Sequence, residues 1–593
     1  MRAGFFSRGV AVLSRLLFMI TLMFVISAHL LANYVYDESP FGINGLKLMH
    51  ARHDPNIWEN ARKTAQLMRD AGIRWDRLEL WWSTIEPEKG TFDWTFADQV
   101  AQFYKQQRIN AMVILCYCSA WSNGKPPTDA EERSRYANYV YQVVSRYKDT
   151  YKVWEIWNEP NIPTFWNEPN VGHYTLLLKE AYKAAKRADP KCVVLAGCTS
   201  GADLGFVKGI SEHGGWEYCD GISIHPYSMS GGPVPQQLDR ILRITRESIS
   251  KIGKPKPIWI TEMGWTTHTP SMDHPQAVYL FQSYIIALAN GVEKLFWFDL
   301  VDWAEKWGIV RNVEPRDLKP AYRAYQTLTR NIDGAEFDGY MKMPSGVSCY
   351  VFKPKQELQG GYRASEERLA ILWANDDQSH EVELPVDASS KVWDIMGNRV
   401  LFEARRVRVG ITPILVRLPK TRIASLVSKN YNPWIVQEGQ NLLINGALDD
   451  VHGSHPWCWI LGRFDGSAKN GKLAISQEGR SGSACVSISD SKSLAVWEAC
   501  MVPVMSGKRY KLSAWVRAQN ATGRNCVAML WYSGNMWTYQ GEVRSEFITG
   551  TRDWTKVTVS GSAPKDSTFV RVNLMSEDNS GAVWFDDITL TEQ

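Results

Sequence analysis

Between residues 41 and 330, short β-branched or aromatic runs alternate with longer amphipathic stretches, and no other feature narrows the fold of this chain as far. Alternation of that kind predicts an α/β domain built on a parallel sheet. The strand-like runs are FGINGL (41–46), IRWDRLEL (73–80), NAMVILCY (110–117), KVWEIW (152–157), CVVLAG (192–197), GISIH (221–225), PIWIT (257–261) and KLFWFDL (294–300). Helix-like stretches lie between them. In IWENARKTAQLMRDAG, Ile57, Ala61, Ala65 and Met68 recur at helical spacing and Gly72 closes the segment as a C-cap. LKPAYRAYQTL follows the eighth run and completes the ring. Eight units in about 290 residues predict a (β/α)8 TIM barrel over 37–334. A doubly wound sheet would need a glycine-rich phosphate loop after its first strand, and GINGLKLMH lacks that spacing.

A chain of 593 residues exceeds what one hydrophobic core organises, so further domains are expected. Past residue 330 the helical pattern stops. Short alternating runs over 335–420, among them GVSCYVFK, RLAILWAND and ITPILVRL, predict a small accessory β-sandwich packed on the barrel. A polar link, 421–438, contains Asn432-Pro433. A second all-β region occupies 439–593, from NLLINGALDD to AVWFDDITL. At the other end, Arg2, Arg8 and Arg15 precede an uncharged run over 16–36 that stops at Asp37. This reads as an export signal. Its length matches the roughly 20 residues of a bilayer span, and Ser27-Ala-His is a poor cleavage site. Residues 1–36 are therefore expected to be an uncleaved signal anchor that holds the chain on the outer face of a membrane, in the periplasm or outside the cell. A cleaved signal peptide, giving a secreted protein, is the alternative.

Composition adds little. Apolar residues at 45% and charged ones at 22% describe folded protein, and a formal charge of +4 without a basic stripe excludes nucleic acid as the expected partner. Aromatic residues reach 12%, which suits stacking on the C–H faces of sugars and suits large cores equally. Ten scattered cysteines form neither a disulfide framework nor a zinc pattern and read as buried thiols; no metal or cofactor is expected in the chemistry.

Reacting groups in such barrels sit where strands end at the C-terminal face. Two runs end in glutamate there: VWEIWNEP places Glu159 past the fourth strand, and PIWITEMGW places Glu262 at the end of the seventh. Three units apart, they should face each other across the barrel mouth. One carboxylic acid and one opposed carboxylate are the equipment for cutting a glycosidic bond. In a retaining enzyme the two lie about 5–5.5 Å apart, so an ionised Glu262 should leave Glu159 protonated as the acid, and Glu159 should become the base once Glu262 carries the sugar. WNEPN recurs at 166–170, but Glu168 falls in a loop that follows no strand.

WNEPN after strand four together with ITEMGW after strand seven resembles the 4/7 superfamily of retaining glycosidases. VWEIWNEPNIPTFW is most similar to glycoside hydrolase family 39, which includes exopolysaccharide-acting members, whereas ITEMGW resembles families with endo-acting members. The resemblance implies that Asn158 bonds the sugar 2-hydroxyl and that Arg77 stands beside the nucleophile, although Arg77 could instead pair with Glu79 on its own strand face. It implies sugar or nucleophile contacts for His225 and Tyr227, with simple packing as the alternative for either. Trp297 would form the floor of the sugar site, or be a core tryptophan, and Trp121 and Trp265 would be subsite walls. The C-terminal region resembles jelly-roll carbohydrate-binding modules, which open on an NLL-x-NG phrase and close on WFDDI. That implies a stacking platform among Trp497, Trp531, Tyr532 and Trp537, several aromatics of the module being core, and a structural calcium at Asp586 and Asp587. The expected function is retaining, endo-acting hydrolysis of a polysaccharide, such as an exopolysaccharide. An exo-acting β-xylosidase-like hydrolase and a non-catalytic carbohydrate-binding scaffold at the cell surface are the alternatives.

Overall fold

The computed structural model describes residues 37–593 save 228–230, 356–366, 377, 387–389, 403–404, 434–438, 453–454, 464–465 and 481. The expected signal anchor at 1–36 lies outside the described residues. Among those described, no helix is long and apolar enough to cross a membrane.

All eight expected strands form a closed parallel barrel: β1 (Phe41–Ile43), β2 (Trp75–Trp81), β3 (Asn110–Cys116), β4 (Val153–Ile156), β5 (Val193–Ser200), β6 (Gly221–His225), β7 (Ile258–Met263) and β8 (Lys294–Trp297). β8 closes on β1 with Phe41 beside Leu295 and Ile43 beside Trp297. The tyrosines of the last two helices secure that seam: Tyr284 and Tyr325 both donate to the Gly42 carbonyl, at 2.9 and 2.7 Å.

Strand alternation sets the layers. Every residue of β3 is buried. Ala111, Val113 and Leu115 face the helices, whereas Met112 turns inward to meet Trp75, Val153, Leu195, Trp259 and Phe296, an apolar plug at the N-terminal end of the barrel. Two residues further along β2 and β4 the same inward face carries Arg77 and Glu155, so charge rests directly on the plug.

Next to Arg77 on β2, Asp76 accepts from the amide of Gly45 (2.7 Å) and from the hydroxyl of Tyr104, tying the loop after β1 to the helix Thr95–Gln107. Burial drives its carboxyl up to about 7, against the Tyr104 and Gly45 hydrogen bonds that favour the anion. A folded-state value raised in this way makes a contribution that is fully present below the ordinary aspartate range and lost as pH rises through about 7. Asp76→Asn, which holds the neutral form at every pH, should therefore gain on wild type by roughly a few degrees of Tm between about pH 5 and pH 8. Thermal denaturation across that range checks it, and a constant difference would contradict it.

The middle domain is a six-stranded antiparallel sheet backed by the pair His380–Glu383 and Arg406–Val409. One face of the large sheet, with Tyr350, Phe352, Ile371, Trp373 and Leu415, continues the barrel's own core, so this sandwich is fixed to the helices. The expected plain link at 421–438 is in part structural. Ile423 enters the sandwich core and Val427–Ser428 pairs with Glu336–Met341, because apolar residues four apart give this polar segment something to bury. The C-terminal domain is a second sandwich, with one sheet centred on Phe569–Glu577 and the other on Asn579–Glu592. Tyr510, Leu512, Ala514, Val516 and Ala518 alternate into its core. It docks on the barrel helix Leu238–Ser250 through Arg240, which reaches the Pro503 carbonyl (2.9 Å) and Glu592 (3.0 Å). None of the ten cysteines is in a disulfide.

Candidate active site

Past β4 the backbone turns sharply, and both Trp157 and Glu159 adopt positive φ, 69° and 41°. A non-glycine residue there costs on the order of 1–2 kcal/mol, so neighbours must hold it. The Glu159 amide donates to the Cys198 carbonyl on β5 (2.9 Å), and the Trp157 indole donates to the Phe165 carbonyl (3.0 Å). Trp157 also packs edge-on against Trp166, ring centroids 5.1 Å apart. The second WNEPN thus serves the first: Trp166 buttresses the turn, and Asn170 caps the helix Val171–Ala188 by accepting from His173 N (3.0 Å). Glu168 between them is exposed on the loop.

Opposite, Glu262 accepts from Arg77 and from the hydroxyl of Tyr227 (2.9 Å). Arg77 does not pair with Glu79. It bonds Glu155 through Nε and a terminal nitrogen (3.1 and 2.9 Å) and the Asn158 side-chain oxygen Oδ1 (2.9 Å), while Glu79 takes the Trp81 indole (2.5 Å) and His50 (3.2 Å). Glu155 went unnoticed in the sequence although a signal was there: on strands of period two, residues 77 and 155 both face inward, and an inward arginine requires an inward acid. Burial works against the charge of Glu155, yet Arg77 and His225 outweigh it and hold its carboxyl below the usual range.

His225 lies between the two candidate carboxyls. Its Nδ1 is 2.8 Å from Glu159 and 3.8 Å from Glu262, and Nε2 is 3.0 Å from the Thr261 hydroxyl and 3.5 Å from Cys198 Sγ. Burial disfavours its cation, but the Glu262 carboxylate and the hydrogen bonds to Cys198 and Glu159 prevail and raise it well above the usual histidine range. Both ring nitrogens thus have a hydrogen-bonding partner within reach. Glu159, His225 and Glu262 offer donor atoms all within 4.8 Å of one another, as do Glu155, Cys198 and His225. Within these clusters Arg77 contacts Glu155 and Glu262, and His225 contacts Glu159.

The expected aromatic contacts divide. Trp297 is fully buried and exposes no plane to a ligand; Trp265, half-buried, packs against it with ring centroids 5.8 Å apart and presents what surface the pair has. Trp121 is held at the rim by Glu132 (3.1 Å) and packs on Trp82. In the C-terminal domain, Trp497 and Trp531 belong to the core, contrary to the expected platform, because they lie on strands whose faces close between two sheets. Tyr532 is partly exposed, and Trp537 is 54% exposed on the loop beyond it. Asp586 accepts from the amides of Arg480 and Asp587 (2.7 Å each), and Asp587 pairs with the Arg480 guanidinium (2.7 Å). The Arg480 guanidinium thus stands at the pair expected to hold calcium.

Residues 44–196, which carry Arg77, Asn158 and Glu159, match the model of glycosyl hydrolase family 10. The chain is 33% identical over 106 residues to a thermostable celloxylanase of Thermoclostridium stercorarium, spanning 14% of this chain and 27% of that protein. It is 24% identical over 219 residues to an endo-1,4-beta-xylanase/feruloyl esterase of Xylanibacter ruminicola, spanning 32% and 29%. The chain thus spans less than a third of the length of either. Among solved structures, a family 39 glycoside hydrolase from Bacteroides cellulosilyticus WH2 shares the fold, with a TM-score of 0.50 and 24% identity over 60% of this chain and 77% of that one.

Removing Arg77 should leave two carboxylates without their cation. Arg77→Met is expected to cost about 3–5 kcal/mol, and adding Glu155→Gln should recover part of it. Chemical denaturation of both variants checks this. A double variant no more stable than the single one would show that Glu155 is not the main counter-charge.

Proposed function

We propose that the chain is a retaining glycoside hydrolase that cleaves a polysaccharide, with Glu159 as acid/base and Glu262 as nucleophile. The observation that carries this reading is the approach of the two carboxyl groups, whose nearest oxygens lie within 4.8 Å. Inverting enzymes need about 6.5–9.5 Å to admit a water between the groups, and retaining ones about 5–5.5 Å. The family 10 match over the acid strand and the xylanase names of the matched relatives support a β-linked polymer as substrate.

The charge count gives each residue its task. Glu155 and Glu262 are matched by Arg77 and the His225 imidazolium. With its proton on, Glu159 leaves the cluster neutral. The Glu262 carboxylate attacks the anomeric carbon, the glycosidic C–O bond breaks, and the Glu159 proton passes to the departing oxygen. Glu262 is now an uncharged ester and Glu159 an anion, so the cluster is neutral again. Water then gives its proton to Glu159 and its oxygen to the anomeric carbon, freeing Glu262 and returning the original configuration. Tyr227 donates to the oxygen of Glu262 that Arg77 does not hold, which fixes the plane of the attacking carboxylate. Asn158, gripped by Arg77 at 2.9 Å, is the residue this reading assigns to the 2-hydroxyl.

Glu159→Gln and Glu262→Gln should each lose at least about 1,000-fold in kcat on a panel of xylan, cellulose, β-mannan and a bacterial exopolysaccharide, and Tyr227→Phe about 10- to 100-fold. Proton NMR of the first anomer released should show the substrate's own configuration. Release of the opposite anomer would exclude the double displacement, and full activity of either glutamine variant would exclude the assignment.

A further inference from the structure

The C-terminal sandwich touches the barrel with a loop tip, residues 533–538, that joins the strands Arg524–Tyr532 and Tyr539–Arg544. Gly534 and Gly201 meet there. A Cβ on Gly201 would stand 1.8 Å from the Gly534 carbonyl oxygen, and one on Gly534 would stand 2.1 Å from the Cα of Asp203. Backbone lies directly on backbone, which glycine alone permits. This part of the barrel is the rim of the site. The Gly201 amide donates to the His225 carbonyl (2.9 Å), and Cys198, three residues before it, receives the amide of Glu159 (2.9 Å). Asn161 of the first WNEPN donates to Ser200 and Asp203, both at 3.0 Å.

The tip is well braced. Buried Asn535 accepts through one oxygen from Ser533 (2.7 Å) and from the amides of Trp537 (3.0 Å) and Thr538 (2.9 Å). Tyr532 and Met536 pack against the barrel's hydrophobic core. Beside that anchor Trp537 is 54% and Tyr539 51% exposed. Two exposed rings on a braced loop at the rim of a sugar site require an explanation, since apolar surface is otherwise withdrawn from water.

We propose that this tip is a wall of the catalytic cleft, where Trp537, with Tyr539 beyond it, stacks the sugar units on the leaving-group side of the scissile bond. The inference rests on the glycosidase reading above. The acid protonates the departing oxygen, so the departing part of the chain lies on the Glu159 side of the mouth, next to the end of β5 where the tip sits. Three strands round the ring, Trp303 is 47% exposed on the loop after β8, so aromatic surface flanks the mouth on both sides. A polysaccharide would thus be held by two domains at once, and the C-terminal sandwich would act as part of the catalytic machinery rather than as a tethered sugar-binding unit.

The test uses the full chain with Trp537→Ala and Trp537→Tyr. Its probes are the panel polysaccharide that wild type cleaves, tried first as xylan, its soluble hexasaccharide, and the 2,4-dinitrophenyl β-glycoside of the same sugar, whose leaving group carries no sugar. Trp537→Ala should lose roughly five- to tenfold in kcat/KM on polymer and hexasaccharide, mainly in KM, and stay within about twofold on the aryl glycoside. Trp537→Tyr should recover most of the loss. Equal losses on all probes, no loss on the polymer, or weaker polymer binding with unchanged hexasaccharide hydrolysis would overturn the proposal. Absence of wild-type hydrolysis across the whole panel would remove the glycosidase reading, and this inference with it.

Discussion

A guanidinium taken out of water into a barrel interior costs several kcal/mol unless carboxylates answer it, and Arg77 is answered by two. Glu155 below and Glu262 above fix its fork, and Asn158 takes a remaining N–H at 2.9 Å. Everything at the mouth is oriented from this fork. The plane of Glu262 follows from it, the amide that would meet substrate follows from it, and the turn bearing Glu159 follows Asn158 by one residue. The apolar plug of Trp75, Met112, Val153, Leu195, Trp259 and Phe296 beneath keeps water out and so keeps the ion pair strong.

The same pairing explains why the strained turn persists. Positive φ at Trp157 and Glu159 would relax if the loop were free, but the loop is pinned by Cys198 on β5, by Phe165 and Trp166 on its own far side, and by Arg77 through Asn158. Strain of this kind persists only where the surrounding contacts over-determine the backbone. His225 completes the arrangement, reaching both carboxyls from one side, and the Glu262 carboxylate helps to raise it well above the usual histidine range.

How far the sequence discloses all this depends on the range of the interactions. The eight strands are legible because each is a local pattern, and Glu159 and Glu262 because a strand end is a local position. Glu155 is one residue in a strand, and only its register against Arg77, 78 positions away, gives it a role. Trp297, Trp497 and Trp531 illustrate the opposite failure. A tryptophan's chemistry is the same in a core and on a platform, and what separates the two is which sheet covers it, a fact of tertiary structure. The repeated WNEPN shows both sides: the loop position of Glu168 is legible locally, whereas the buttressing by Trp166 needs the folded loop.

Gly201 and Gly534 extend that point to domain organisation. Each follows a serine and so reads only as a local turn, yet Gly201 is required by the backbone of Gly534, and Gly534 by that of Ala202 and Asp203. A binding unit on a flexible link raises the local concentration of polymer but leaves the orientation of each chain to chance. A unit locked by backbone contact at the end of β5 and held again by Arg240 through Pro503 and Glu592 has no such freedom. Its exposed rings are held in place relative to the end of β5, and under the proposal above that fixed placement would let binding energy gathered several sugars away act on the position of the scissile bond.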